Sequence, residues 1–351
     1  MPILDDEGNA RPAERRIEAT AQAAVCGLNP LLLGECRAHR RVGYKNSVSS
    51  FHLLTMSKCY KLKRGLMHGT YRPQRGETHE VYEPKYRVTV SSKYPDRVVQ
   101  AAFVVNYFYQ HVIPRLIKNN FACIKGRGVD AAREALKDIL RHASMDDWAL
   151  KADMQNYFAS IVHAALYGEI CPMLPDAWAR AYYAQTVENT GAPVGLDLGS
   201  EVYQLSATSL LNRLDHALDS GKYVRYQDDL LFVGSKAECQ RALEIIKTEA
   251  ARLRLTVHPH KTYVQPIARP VAFLGFTYLR HESGRVTAKR LPDKIRHERR
   301  KLRHMLRKGV PMARVRAHWQ SARECLKKGA RGDLCKMDHF TDELFGGMIH
   351  A

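Results

Sequence analysis

The stretch YVRYQDDLLFVGS, residues 223–235, sets Asp228 and Asp229 side by side within a run of aromatic and aliphatic residues. Tyr, Val, Leu and Phe at this density read as β-strand, and the polar centre reads as a tight turn between two strands. Neighbouring carboxylates repel one another in a half-buried hairpin, so something must offset the cost of placing them there. A third acid in a strand context, Asp153, ends WALKAD at 148–153, 75 residues before Asp228. A sheet can bring the two segments together, and the carboxylates become tolerable if a divalent cation neutralises them. Oxygen ligands of this kind suit Mg²⁺, and two such ions about 3.5–4 Å apart lower the barrier to in-line phosphoryl transfer.

Working outward, Ser235 and Glu238 form a capping box that starts a helix over KAECQRALEIIKTEAARL, 236–253. Cys239, Ala242, Leu243, Ile246 and Leu253 fall on one side of it, which predicts a helix lying on a sheet. QLSATSLLNRLDHAL, 204–218, has apolar residues at helical spacing and reads as one helix, whereas RPVAFLGFTYLR, 269–280, reads as a strand with a glycine kink. PDRVVQAAFVVNYFYQHVI, 95–113, is apolar on nearly every face and predicts a buried helix; a second follows KGRG at 125–128. Nearer the start, PAERRIEATAQAAV (12–25) is helical, and a helix-like segment over 51–72 turns into the extended EVYEPKYRVTVSS at 80–92. Between Leu291 and Gly329 there are 13 Lys or Arg against 3 Asp or Glu, in two helical runs.

The 351 residues are enough for two or three subdomains with sizeable cores. The formal net charge of +19 favours a polyanionic partner, nucleic acid before membrane. Eight scattered cysteines without a CxxC pair indicate neither a disulfide framework nor a zinc ribbon. No stretch has the apolar length of a membrane span, and the N-terminus lacks a signal-peptide pattern. A cytoplasmic protein is expected.

KADMQNYFASI, YVRYQDDLLFVG, LTVHPHKTYVQP and VAFLGFTYL, in this order and spacing, resemble the palm motifs of reverse transcriptases. The resemblance runs upstream through PKYR, PDRVVQ and FACIKGRGVDAA, and so covers roughly 60–280. It implies an α+β fold of the right-hand polymerase type: an N-terminal extension over 1–50, fingers with part of the palm over 51–147, palm over 148–280, and a basic helical thumb over 281–351. It implies catalysis by Asp153, Asp228 and Asp229, with Mg²⁺ (two ions, Mn²⁺ as a substitute) on Asp153, the backbone of Met154 and Asp228, and Asp229 in support. Phe158 falls where the family places its gate against a ribose 2′-hydroxyl, a clash that favours deoxynucleotides. Lys85 and Arg87 alternate on one extended run, so they point the same way and resemble the grip on the incoming triphosphate. Lys261 matches a general acid for pyrophosphate departure. Gly199 and Gln204 would lie against the nucleotide, Tyr226, Gln227, Leu274 and Gly275 against the nucleic acid, and Lys125 and Arg127 against template phosphate.

The segment from Leu198 to His216 departs from the family's QGxxxSP-like pattern: Gly199 is kept, but Tyr203 replaces the usual serine and Gln204 ends the motif. Endings in Gln resemble short bacterial reverse transcriptases, those of defence-associated, abortive-infection and diversity-generating types. About 75 residues follow FLGF at 273–276, room for a thumb but not for RNase H or integrase. The expectation is an RNA-directed DNA polymerase that copies a structured, dedicated non-coding RNA into DNA from dNTPs in antiphage defence, with a second protein from the same operon as a partner. The rival readings are a diversity-generating or retron-type enzyme, untemplated or protein-primed DNA synthesis, and a catalytically silent RNA-binding protein on a polymerase fold.

Overall fold

The computed structural model describes residues 22–40, 42–81, 87–197, 199–327 and 331–346. The chain is α+β, with small antiparallel sheets, and its residues fall into two compact units that interleave along the sequence.

The first unit comprises Met1–Gly126, Met154–Ala217 and Ile245–Val257. In it, α1 (Leu28–His39), α2 (Asn46–His52) and α3 (Thr55–Met67) precede a two-stranded ribbon, β1 (Glu77–Val81) and β2 (Arg87–Ser91). The apolar run at 95–113 is helical as expected: α4 (Tyr94–Phe103) continues into a π-helical run, Val104–Val112. Its residues Val98, Phe103, Val104, Phe108 and Val112 are all fully buried. The part from Met154 to Ala217 supplies α6 (Tyr157–Ser160), α7 (His163–Ile170), α8 (Ala177–Glu188), α9 (Glu201–Leu210) and α10 (Asn212–Leu218). The single helix read over 204–218 is therefore two, parted at Leu211, which leaves helical geometry with φ −90° and ψ 17°. Periodicity alone could not locate that break, because the apolar spacing continues across it.

The second unit comprises Arg127–Asp153, Leu218–Glu244 and His258–Ala351. Its four-stranded sheet has the order β4 (Tyr223–Tyr226), β5 (Asp229–Gly234), β3 (Trp148–Asp153) and β6 (Tyr263–Pro266), every pairing antiparallel. Four successive residues of β3 and five of β5 are buried, the pattern of central strands covered on both faces. α5 (Val129–His142) packs against β4, and α11 (Lys236–Arg252) begins where Cys239 Sγ donates to the Trp148 carbonyl at 3.4 Å. The capping box forms as read: Ser235 N–H donates to Glu238 Oε2 at 2.7 Å and Glu238 N–H to Ser235 Oγ at 3.2 Å. Cys239, Ala242 and Ile246 are buried on that helix and Leu253 is buried just past its end, while Leu243 is half-buried.

The single strand read over 269–280 needs correction. RPVAFLGFTYLR is a hairpin, β7 (Val271–Phe273) and β8 (Phe276–Arg280), followed by β9 (Val286–Arg290). Leu274 and Gly275 both have positive φ, 47° and 83°, the signature of a two-residue type I′ loop, so the glycine reverses the chain rather than kinking a strand. The C-terminal part holds three helices, α12 (Pro292–Arg307), α13 (Met312–Lys327) and α14 (Arg331–Gly346). The first two are the two helical runs read over 291–329, and the third follows beyond the stretch of excess basic residues.

Gly199 owes its place to a close approach within the first unit. A Cβ added there would lie 2.7 Å from the Val90 carbonyl and 3.2 Å from Ser91 Cα, both on the backbone of β2. Gly199→Ala is expected to destabilise the protein by about 1–3 kcal/mol through that overlap, seen as a lower urea midpoint; an unchanged midpoint would count against the contact.

Candidate active site

The register of β3 on β5 pairs Asp153 with Asp229, Ala152 with Leu230 and Lys151 with Leu231. The register of β4 on β5 pairs Tyr226 with Asp229, which leaves Gln227 and Asp228 as a two-residue loop. Gln227 has φ 56° and Asp228 does not share a positive φ, the pattern of a type II′ turn, where glycine is usual. Such a backbone costs a non-glycine residue about 1–2 kcal/mol. Arg225 holds it: this side chain is fully buried, and its Nη1 donates to the Gln227 carbonyl at 2.9 Å. Sequence reading passed over Arg225 inside the decisive stretch, although a lone cation in an apolar strand was the available signal.

The three acids are thus gathered in one sheet, and two of them carry a lysine. Lys151 Nζ, itself buried, is ion-paired with Asp229 Oδ1. Lys261 Nζ lies 3.0 Å from Asp153 Oδ1, presented by the turn at 258–262, whose His258 N–H donates to the Asp153 carbonyl at 2.7 Å. Burial pushes the Asp229 carboxyl up, against the pull of Lys151 and of the Leu274 backbone amide. Burial also pushes Asp228 up, and the neighbouring charges of Asp153 and Asp229 add to it. Among the described residues Asp228 has no ion pair. Lys151 was not foreseen, yet its place two residues before Asp153 on a strand puts it on the same face as that acid.

The other predicted residues are placed as follows. Leu274 and Gly275 form the β7–β8 loop, which Arg133 steadies by donating from Nη2 to the Leu274 carbonyl at 2.8 Å. Tyr226 ends β4, half-buried, and Arg127 is half-buried ahead of α5; both belong to the second unit. In the first unit, Met154 is buried and bridges to Val257. Phe158 is half-buried on α6, while its neighbour Tyr157 fills the core and donates its hydroxyl to the Ala207 carbonyl at 2.6 Å. Gly199 and Gln204 line a cavity of about 280 Å³ together with Arg37, Arg97, Gln100 and Ser200. Lys125 is exposed, its backbone N–H donating to the Tyr109 hydroxyl at 2.9 Å. Lys85 lies outside the described residues, as does the side chain of Arg87, the residue that opens β2. The contacts of the proposed triphosphate grip are therefore not described.

The donor set fits a hard divalent ion. A half-buried carboxylate with no ion pair among the described residues, next to two further carboxylates and offset only by the charge of Lys261, is a site short of positive charge. No group of three or more His, Cys, Asp or Glu among the described residues forms a ready-made cage. Mg²⁺ does not need one, because it takes one or two carboxylates and completes its shell with water and substrate phosphate.

A family model for reverse transcriptase (RNA-dependent DNA polymerase) matches residues 77–278, more than half of the chain. The chain belongs to that family. It is an RNA-directed DNA polymerase, a nucleotidyltransferase that takes an RNA template and dNTPs and makes DNA, in a family that uses divalent metal ions. No curated protein matches it. No described helix is long and apolar enough to cross a membrane.

Lys151→Met is expected to strand the Asp229 carboxylate in the sheet and to cost about 3–5 kcal/mol. Adding Asp229→Asn removes the stranded charge and should recover much of that loss. Urea unfolding of both single variants and the double variant measures the coupling, and simple additivity would show that the pair contributes nothing.

Proposed function

We propose that this chain is a bacterial reverse transcriptase of right-hand architecture that copies a structured, dedicated RNA in antiphage defence. The observation that carries the catalytic part is the antiparallel register that pairs Asp153 with Asp229 and leaves Asp228 at the adjoining turn, half-buried and without an ion pair among the described residues. In this reading the palm spans 148–280, with fingers over 51–147 and thumb over 281–351. Asp153, the Met154 carbonyl and Asp228 are the oxygen ligands for Mg²⁺, and Asp229 supports them. Two ions held there would supply the positive charge that activates the primer 3′-hydroxyl and stabilises the leaving pyrophosphate.

The remaining roles follow from chemistry and position. Lys261 Nζ, 3.0 Å from Asp153 Oδ1, donates a proton to the departing pyrophosphate. Phe158, only half-buried, stands against a ribose 2′-hydroxyl, and Lys85 and Arg87 bind the triphosphate. The defence role is supported by the motif ending in Gln204, with Tyr203 where the family usually has serine. Tyr203 is buried and donates its hydroxyl to the Thr186 carbonyl at 2.6 Å, so the exchange alters the support of α9.

The test is to purify the protein with its co-purifying nucleic acid, add labelled dNTPs and Mg²⁺, and sequence the product. Wild type should incorporate dNTPs, RNase treatment should remove the template, and Asp228→Asn should fall to background. Equal incorporation by Asp228→Asn would refute the metal assignment. Phe158→Ala should raise ribonucleotide use by about tenfold or more, the scale of a lost steric contact. Unchanged sugar selectivity would rule that gate out. Expression against phage challenge, with Asp228→Asn as the control, tests the defence role, and equal protection by the two would remove it.

A further inference from the structure

A second cavity of the first unit, about 370 Å³, lies between α2, α3, the ribbon β1–β2 and the start of α4. Its walls carry Lys45, Lys58, Lys93 and Arg97 against one carboxylate, Glu77, with His79 and four serines among the remaining lining residues. Lys93 is ion-paired with Glu77. That pairing, with His79 and Lys45 close by, holds the Glu77 carboxyl below its usual range. Lys45, Lys58 and Arg97 have no ion-pair partner among the described residues. A concave wall with surplus cations and hydroxyl donors is the chemistry of a phosphate site.

Arg97 also lines the 280 Å³ cavity described above, whose polar lining includes Gln204 and the Arg37–Glu201 ion pair, while the buried Ser200 and Gln100 are hydrogen-bonded to each other. The two cavities therefore share one residue: phosphate chemistry lies on one side of it, and on the other an amide, a guanidinium and a carboxylate, groups suited to base edges and ribose hydroxyls. A free nucleotide presents one cluster of phosphates. A polynucleotide presents phosphates and bases side by side, and matches the pair of cavities. We propose that the cavity of Lys45, Lys58, Lys93 and Arg97 binds backbone phosphates of single-stranded RNA, with Arg97 at the step from backbone to base. This rests on the reading of the chain as a polymerase on an RNA template. It adds a site distinct from the acids and from Lys85, Arg87, Lys125 and Arg127.

The experiment measures binding of a short fluorescent uridine oligoribonucleotide by anisotropy across a salt series, using the full chain. Lys45 and Lys58 are exposed, so Lys45→Gln with Lys58→Gln should fold. That variant should bind about tenfold more weakly at physiological salt. Its plot of log affinity against log salt should flatten by about 1.4, since each single-strand phosphate contact contributes about 0.7. Glu77→Gln should bind about two- to threefold more tightly, a gain that damage to the fold does not produce. Wild-type affinity and slope in the lysine variant overturn the site. So does a loss confined to the KM for dNTPs, which would make it a triphosphate subsite, and so does weaker binding by Glu77→Gln. If the wild type incorporates no dNTP while the three RNA affinities change as stated, the polymerase reading fails and the site stands.

Discussion

Three carboxylates sit close together in one small sheet because β3 and β5 pair in a single antiparallel register. A slip of one residue would turn every side chain of β5 to the opposite face, so the buried runs on both strands lock the register and the acids with it. The like charges that result are a cost imposed by the fold. It is met on this chain by Lys151 against Asp229 and Lys261 against Asp153, and only in part at Asp228, which has no ion pair among the described residues and feels Lys261 without direct contact. That asymmetry follows from register and turn length alone. It gives the twin acids different environments before any ligand is considered.

The turn is the second constraint. Two residues connect β4 to β5, and the first has a backbone that glycine adopts more easily than glutamine. A buried guanidinium on the preceding strand closes the local hydrogen bonding by meeting the Gln227 carbonyl. Burying Arg225 is expensive on its own account, and the side chain is retained where its charge-assisted hydrogen bond reaches the loop that carries Asp228. On another side, the β7–β8 loop reaches Asp229 through the Leu274 amide, and Arg133 ties that loop to α5. The position of Asp229 is thus fixed by a strand, a lysine and a loop from three parts of the second unit.

Much of this was legible in the sequence, and the parts that were not share a cause. The hairpin, the capping box, the buried run at 95–113 and the α+β class each rest on local patterns that local energetics enforce. The split between α9 and α10, the loop inside FLGF and the helix α14 depend on where the chain turns, which apolar spacing records poorly. Arg225 and Lys151 were missed because their meaning lies in a partner across a turn or a strand. A charged residue in an apolar strand shows that a partner is needed but not which one. Gly199 was foreseen by motif, and its physical reason, the backbone of β2 within reach of a Cβ, became visible only in three dimensions.

The two lysines also bear on why the acids are tolerated at all. A buried ion pair contributes little net stability, since desolvation cancels much of the attraction, and an apolar pair of like volume would often serve as well. Lys151 and Asp229 therefore make little sense as a device for stability alone. They make better sense where one carboxylate must stay charged and fixed beside another that is left available. In this sheet Lys151 immobilises Asp229 by a contact from within the core, whereas Lys261 reaches Asp153 from an exposed turn and is held by little else. One acid is clamped, one is screened by a side chain free to withdraw, and one is open. A site that must admit a doubly charged cation can be stable without one only if its own cations compensate part of the charge, and only the exposed cation needs to give way.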